Sequence, residues 1–301
     1  MFRKPYGFVL SLLAALVTAQ PLAELPIRLQ QGELSLSVDP HYGGRITEMR
    51  LGDRDLLALS DPGANSFGST FWLSPQSLWN WPPIVEHDTA PYQVQGLGQN
   101  FVALESEAGA GARVAKAIAL QGENRARIDY RILAEKPFAE VAAWEITRVQ
   151  KRGIAFAPVA PNTVKTVRGE MDFHLDDDSM LWLPMSASDK LVEGKVVANG
   201  REGWLAYAVD RMLYLKVYPP VAQQAVASGE GDIELYLSGE LPFLELEVQS
   251  AAQPLETGEI LQWSVEWLLL PIPAPVEVRQ GSQSLVAFVR DQVRRQATLS
   301  D

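Results

Sequence analysis

The chain has 301 residues, no cysteine and a formal charge of −11. Without cysteine there are no disulfides, thiolate metal sites or thiol nucleophiles, and a chain of this length buries a core large enough to fold without cross-links. The acidic balance argues against nucleic acid and anionic membrane surfaces as partners; neutral sugars carry no charge to be repelled.

The N-terminus has the layout of an export signal. Arg3 and Lys4 precede an apolar run from Tyr6 to Val17, and Val17-Thr18-Ala19 supplies small or modest residues before Gln20. A positive start, a short apolar stretch and a small-residue end describe a cleaved signal peptide. The run falls short of the roughly 20 apolar residues a membrane span takes. Cleavage after Ala19 removes two cations and no acid, so the charge becomes −13. The expected location is the periplasm or cell exterior, with no membrane association after cleavage.

Beyond residue 20, apolar and polar residues alternate with period two. Residues 34–39 do so, as do 232–238, with Ile233, Leu235 and Leu237 on one face. In 212–218, Leu213, Leu215 and Val217 oppose Tyr214, Lys216 and Tyr218. Such alternation predicts half-buried strands. Further strands are predicted at 44–50, 92–96, 99–106, 112–120, 124–133, 139–149, 180–185, 203–209, 242–249 and 259–270. Turn residues separate them, at Asp61-Pro62-Gly63, Gly109-Ala110-Gly111, Gln121-Gly122-Glu123-Asn124, Asn199-Gly200 and Gly229-Glu230-Gly231. Many short strands with regular turns predict an all-β antiparallel sandwich or barrel. Pro271-Ile272-Pro273-Ala274-Pro275 ends the strand pattern. Leu285, Phe288, Val289 and Val293 then recur at helical spacing from Ser284 to about Arg295. The division expected is a signal peptide at 1–19, one β-domain at 20–275 and a helical extension at 276–301.

Three segments could carry chemistry. Residues 65–83 place Trp72, Trp79 and Trp81 among Ser, Pro and Asn, in what reads as a loop. Aromatic faces flanked by amides and hydroxyls suit the apolar and polar sides of a sugar ring; the same tryptophans could simply plug one end of a sandwich. In residues 243–249, Phe243, Glu245, Glu247 and Gln249 share one strand face, opposite Leu244, Leu246 and Val248. That is either a site floor or an ordinary wet face. In residues 143–148, Glu145 and Thr147 face away from Trp144, Ile146 and Arg148, and a mid-strand carboxylate near tryptophan could be a tuned acid or base. The histidines 41, 87 and 174 show no metal-ligand spacing; His87, just after Trp81-Pro82-Pro83, is the best placed as a general acid. Asp176-Asp177-Asp178 lacks the remainder of a calcium loop and reads as a solvated turn. No cofactor or metal is called for.

With these segments in place, the sequence resembles the galactose-mutarotase-like (aldose 1-epimerase-like) superfamily. Gly43-Gly44-Arg45-Ile46-Thr47-Glu48-Met49-Arg50-Leu51 followed by Arg54-Asp55-Leu56-Leu57 resembles that family's opening strands. Leu246-Glu247-Val248-Gln249 is similar to the motif whose glutamate is its catalytic base. Trp72, Pro75-Gln76, Trp79 and Trp81-Pro82-Pro83, with Trp144-Glu145-Ile146-Thr147 and Glu266-Trp267, resemble an uncharacterised secreted bacterial family of the same fold. The likeness spans about residues 30–271 and implies a large twisted antiparallel β-sandwich with a sugar site in its concave face. Both family histidines are missing, and Trp144-Glu145-Ile146-Thr147 stands where the acid's motif belongs.

Mutarotation needs a base for the anomeric hydroxyl and an acid for the ring oxygen, each contributing on the order of 10²–10⁴-fold. Three readings therefore stay open. The first is a sugar- or oligosaccharide-binding protein, with Trp72, Trp79 and Trp81 stacking and Gln76, Glu145, Lys216 and Glu247 bonding hydroxyls. The second is an isomerase with Glu247 as base and Glu145 or His87 as acid. The third is a structural or assembly protein that keeps only the sandwich.

Overall fold

A computed structural model describes residues 26–57 and 65–300, with side chains to Gln296. The leader expected at 1–19 and the turn expected at Asp61-Pro62-Gly63 lie outside the described residues.

Two antiparallel sheets face each other. The first runs, in spatial order, Ile27–Gln31, Leu34–Asp39, Arg45–Leu51, Ser69–Ser74, Phe138–Gln150, Phe243–Gln249, Ile233–Leu237, Gly194–Ala198 and Lys165–Gly169. Arg54–Asp55 and Gln253–Leu255 add short partners to the third and fifth of these strands. The second runs His174–Leu175, Met180–Met185, Gly153–Pro158, Trp204–Val209, Met212–Val217, Ile260–Pro271, Arg125–Ala134, Ala112–Gln121, Phe101–Glu105 and Gln93–Leu97. The predicted strands are all present. Ala112–Gln121 alternates buried and half-buried at every residue, as a strand with one core face must.

Between the sheets lies an apolar core that includes Leu36, Ile46, Phe71, Leu73, Ile128 and Leu246. One ion pair crosses it. Lys216, from the second sheet, reaches Glu145 of the first at 3.0 Å and also donates to the Leu246 carbonyl at 2.8 Å. Glu145 further accepts from the Tyr130 hydroxyl (2.7 Å) and the Trp267 indole (2.9 Å). Burying two ions is costly unless their remaining hydrogen-bonding capacity is met; the Tyr130 and Trp267 donors serve the carboxylate and the Leu246 carbonyl serves the ammonium.

The C-terminal helix, Gln283–Ser300, packs Leu285, Val286 and Val289 against Leu213, Leu215, Leu268 and Leu270 on the outside of the second sheet. Ser282 caps it, its hydroxyl accepting from the Leu285 amide at 3.2 Å. Met212–Val217 is thereby buried on both faces, which is how Lys216 comes to lie inside.

The strand Ser69–Ser74 corrects the reading of 65–83 as a loop. All six of its residues are buried, because the strand sits mid-sheet with covered faces on both sides. It carries Trp72 beside Trp144 in register. The chain then turns through Gln76–Leu78 into the loop bearing Trp79 and Trp81, with Asn80 in the left-handed region at φ 59°, a conformation asparagine tolerates.

Candidate functional site

Strand parity and register build a polar patch on the outer face of the first sheet. Leu244, Leu246 and Val248 point into the core, so Glu245, Glu247 and Gln249 point outward. Glu247 pairs in register with Ile146 on one side and Glu234 on the other, and Gln249 pairs with Trp144. Trp144 pairs with Trp72 across the next strand. Beyond Glu234, the parity of Gly194–Ala198 turns Lys195 to the same face.

The side chains interlock. The Trp144 indole donates to Glu247 Oε2 at 3.0 Å. Lys195 Nζ lies 3.1 Å from the same oxygen, 2.5 Å from Glu234 Oε2 and 4.8 Å above the Trp144 ring centroid. Gln249 accepts from the Ser74 hydroxyl at 2.6 Å and donates to Glu234 Oε1 at 3.0 Å. Glu230 accepts from the Gln76 backbone N–H at 2.8 Å, which brings the turn before Glu234 against the tryptophan-bearing segment. Segments more than 150 residues apart in sequence thus meet on one surface.

Trp72 stands edge-on to Trp144, Trp79 and Trp81, with ring centroids 5.4, 5.6 and 6.4 Å away. The Trp79 indole donates to the Leu73 carbonyl at 2.8 Å, which locks that ring to the sheet. Trp81 is 71% exposed and presents a free aromatic surface.

Trp72 is anchored from behind. Its indole donates to Asp88 Oδ1 at 2.9 Å; Asp88 also accepts from Thr70 (2.8 Å), Asn65 (2.9 Å) and Arg45 (3.0 Å). Burial alone would raise the Asp88 pKa, but Arg45 and these donors together hold it below the usual carboxylate value. Gly43, at φ 68°, lets the Asp88 backbone approach so closely that a Cβ there would collide with its carbonyl. The Gly43-Gly44-Arg45 motif is in this way coupled to the tryptophan patch.

Charges in the patch are unequal. Burial pushes the Glu247 pKa well above its ordinary value, against the pull of Lys195. Burial disfavours the Lys195 ammonium, but Glu234 and Glu247 outweigh it and hold its pKa above that of an ordinary lysine. Glu230, half-buried and close to Glu234, is raised to about 7. Arg148 is paired with Glu245 at 2.9 Å.

The structure brings together Trp72, Gln76, Trp79, Trp81 and Glu247 of the sequence-derived candidates. It does not bring Glu145, Lys216 or His87 to them. Glu145 and Lys216 form the pair between the sheets, with no exposed surface, so the expectation that they touch a sugar is corrected: their strand parity points them inward. His87 is also fully buried. Its Nε2 lies 3.1 Å from the Ala112 carbonyl, and burial lowers its pKa to about 4. A general acid for a ligand on the outer face cannot be supplied from there. Lys195, Glu230 and Glu234 were not singled out in the sequence. Glu234 had a signal, since Ile233, Leu235 and Leu237 assign it to the opposite face; Lys195, in Gly-Lys-Val-Val-Ala, had none.

The same two-sheet architecture occurs in solved structures. The Slr1438 protein from Synechocystis sp. PCC 6803 matches with a TM-score of 0.58 and 15% identity, over 86% of this chain and 100% of that one. A galactose mutarotase related enzyme from Lactobacillus acidophilus matches with 0.58 and 9%, over 85% and 100%. The fold is galactose-mutarotase-like. A GalM/aldose epimerase homologue from C. elegans adds a match at 0.53 and 10% identity, over 82% and 99% of the two chains. No protein-family model and no curated protein sequence matches this chain. At these identities the galactose-mutarotase-like likeness fixes the architecture alone.

Proposed function

We propose that the protein is an exported carbohydrate-binding protein whose ligand lies on the tryptophan and glutamate face of the first sheet. The observation that carries this reading is the hydrogen bond from the Gln76 backbone N–H to Glu230, which joins the segment bearing exposed Trp81 to the glutamate cluster. An apolar platform next to a few fixed polar groups is the usual form of a sugar subsite. Glu247 argues against isomerisation as the main role. It is 1% exposed and committed to Trp144 and Lys195, whereas a base must come within hydrogen-bond reach of the hydroxyl it deprotonates. Among the described residues no histidine joins it on this face. The leader sequence at 1–19 supports export to the periplasm or cell exterior.

The test is a titration of the protein with neutral hexoses and oligosaccharides, followed by tryptophan emission, beside polarimetry of freshly dissolved glucose and galactose. Saturable emission changes without mutarotation above the solvent rate agree with the proposal. An isomerase reading draws on half-buried Glu230, whose pKa burial pushes up to about 7, a range that suits proton transfer at neutral pH. It requires catalysed mutarotation that Glu230→Gln abolishes.

A further inference from the structure

The carboxylates on the outer face outnumber the cations. Glu230, Glu234 and Glu247 converge, and Lys195 is the one ammonium among them. Lys195 is already shared between two carboxylates, and Arg148 is taken by Glu245. Lys165 stands exposed on the edge strand opposite Val197, two strands from Glu234. Glu230 has no salt bridge to any cation among the described residues, and the residue is only half-buried. A second feature points to a missing donor: Glu247 Oε1 is buried and has no hydrogen-bond partner, although buried acceptors are nearly always satisfied.

An anionic sugar would find no unpaired cation in the cluster and would be repelled by the acids. A neutral sugar would gain ordinary hydrogen bonds. An ammonium would gain a charge-assisted hydrogen bond at a partly buried carboxylate, the stronger kind. It would also be attracted to the faces of the neighbouring indoles, which draw cations. The negative charge of the whole chain adds to the same preference.

Resting on the carbohydrate reading above, we propose that this face selects amino sugars bearing a free ammonium group, with Glu230 as the residue that sets the selectivity. The ammonium would sit against Glu230, and the apolar side of the ring against Trp81.

The experiment is isothermal titration calorimetry at neutral pH and low salt, with glucosamine, N-acetylglucosamine, glucose and glucuronate as probes. Wild type and Glu230→Gln are compared, and circular dichroism checks that the variant is folded. Glucosamine should bind about tenfold more tightly than glucose or N-acetylglucosamine, the scale of one charge-assisted hydrogen bond. Glucuronate should be the weakest, and Glu230→Gln should bring glucosamine close to glucose. Equal binding of glucose and glucosamine by wild type would overturn the selectivity and leave the carbohydrate reading intact. A preference for glucosamine that persists in Glu230→Gln would overturn the role of Glu230. Binding of none of the four would overturn the selectivity, and the wider titration of neutral sugars would then decide the carbohydrate reading separately.

Discussion

Trp144 and Glu247 lie on adjacent strands, and the indole of the first donates to the carboxylate of the second at 3.0 Å. The bond turns a residue resembling a catalytic base into part of a wall. Trp144→Phe keeps the ring and removes the donor. A buried acceptor left without its donor costs about 1–3 kcal/mol, so urea denaturation should show a loss of that order. An unchanged midpoint would mean that Glu247 is satisfied without Trp144.

Lys195→Met leaves Glu234 and Glu247 without their cation. Removing one partner of a buried pair costs about 3–5 kcal/mol. Because Lys195 is 18% exposed, the low end is expected. A Glu247→Gln change in the Lys195→Met background should recover part of the loss, because it removes one of the two carboxyls that Lys195 serves. No recovery in a double-mutant cycle would show that the two side chains are not coupled.

The pH dependence of stability has a defined sign for Asp232. It accepts from the Gly200 amide at 2.7 Å, and burial raises its pKa from 3.8 to about 7. A carboxyl with a raised folded pKa holds its proton in the folded state after the unfolded chain has lost it. Its contribution is therefore fully present below pH about 4 and falls as pH rises to about 7. Wild type should lose stability across that window, and Asp232→Asn should flatten the slope. Equal slopes in urea titrations of the two proteins would contradict the assignment.

The signal peptide proposed at 1–19 can be tested independently of the fold. Protein recovered from the periplasm or medium should have an intact mass lacking residues 1–19 and beginning at Gln20. Full-length chain confined to the cytosol would remove export from the proposal.

Much of the fold was legible because period two survives wherever a strand has one wet or half-buried face. It failed at Ser69–Ser74, where burial on both sides erases alternation and the neighbouring Ser, Pro and Asn imitate a loop. The outward face of Phe243–Gln249 was legible from Leu244, Leu246 and Val248. The split of Trp144 from Glu145 was legible too, but not which side faced the core, since Phe138–Gln150 is buried on both faces along most of its length. Lys216 misled for a related reason: a lysine in an alternating strand reads as solvent-facing, and only the C-terminal helix covering Leu213 and Leu215 shows that the other face is inside.

Trp81 carries the most direct test. It is exposed, so Trp81→Ala should leave the unfolding midpoint nearly unchanged while removing the aromatic platform. Calorimetric titration of wild type and Trp81→Ala with the tightest-binding sugar is the measurement. The variant should lose about three- to tenfold in affinity, the scale of a single aromatic contact. Equal affinity in the two proteins would contradict a carbohydrate site on this face.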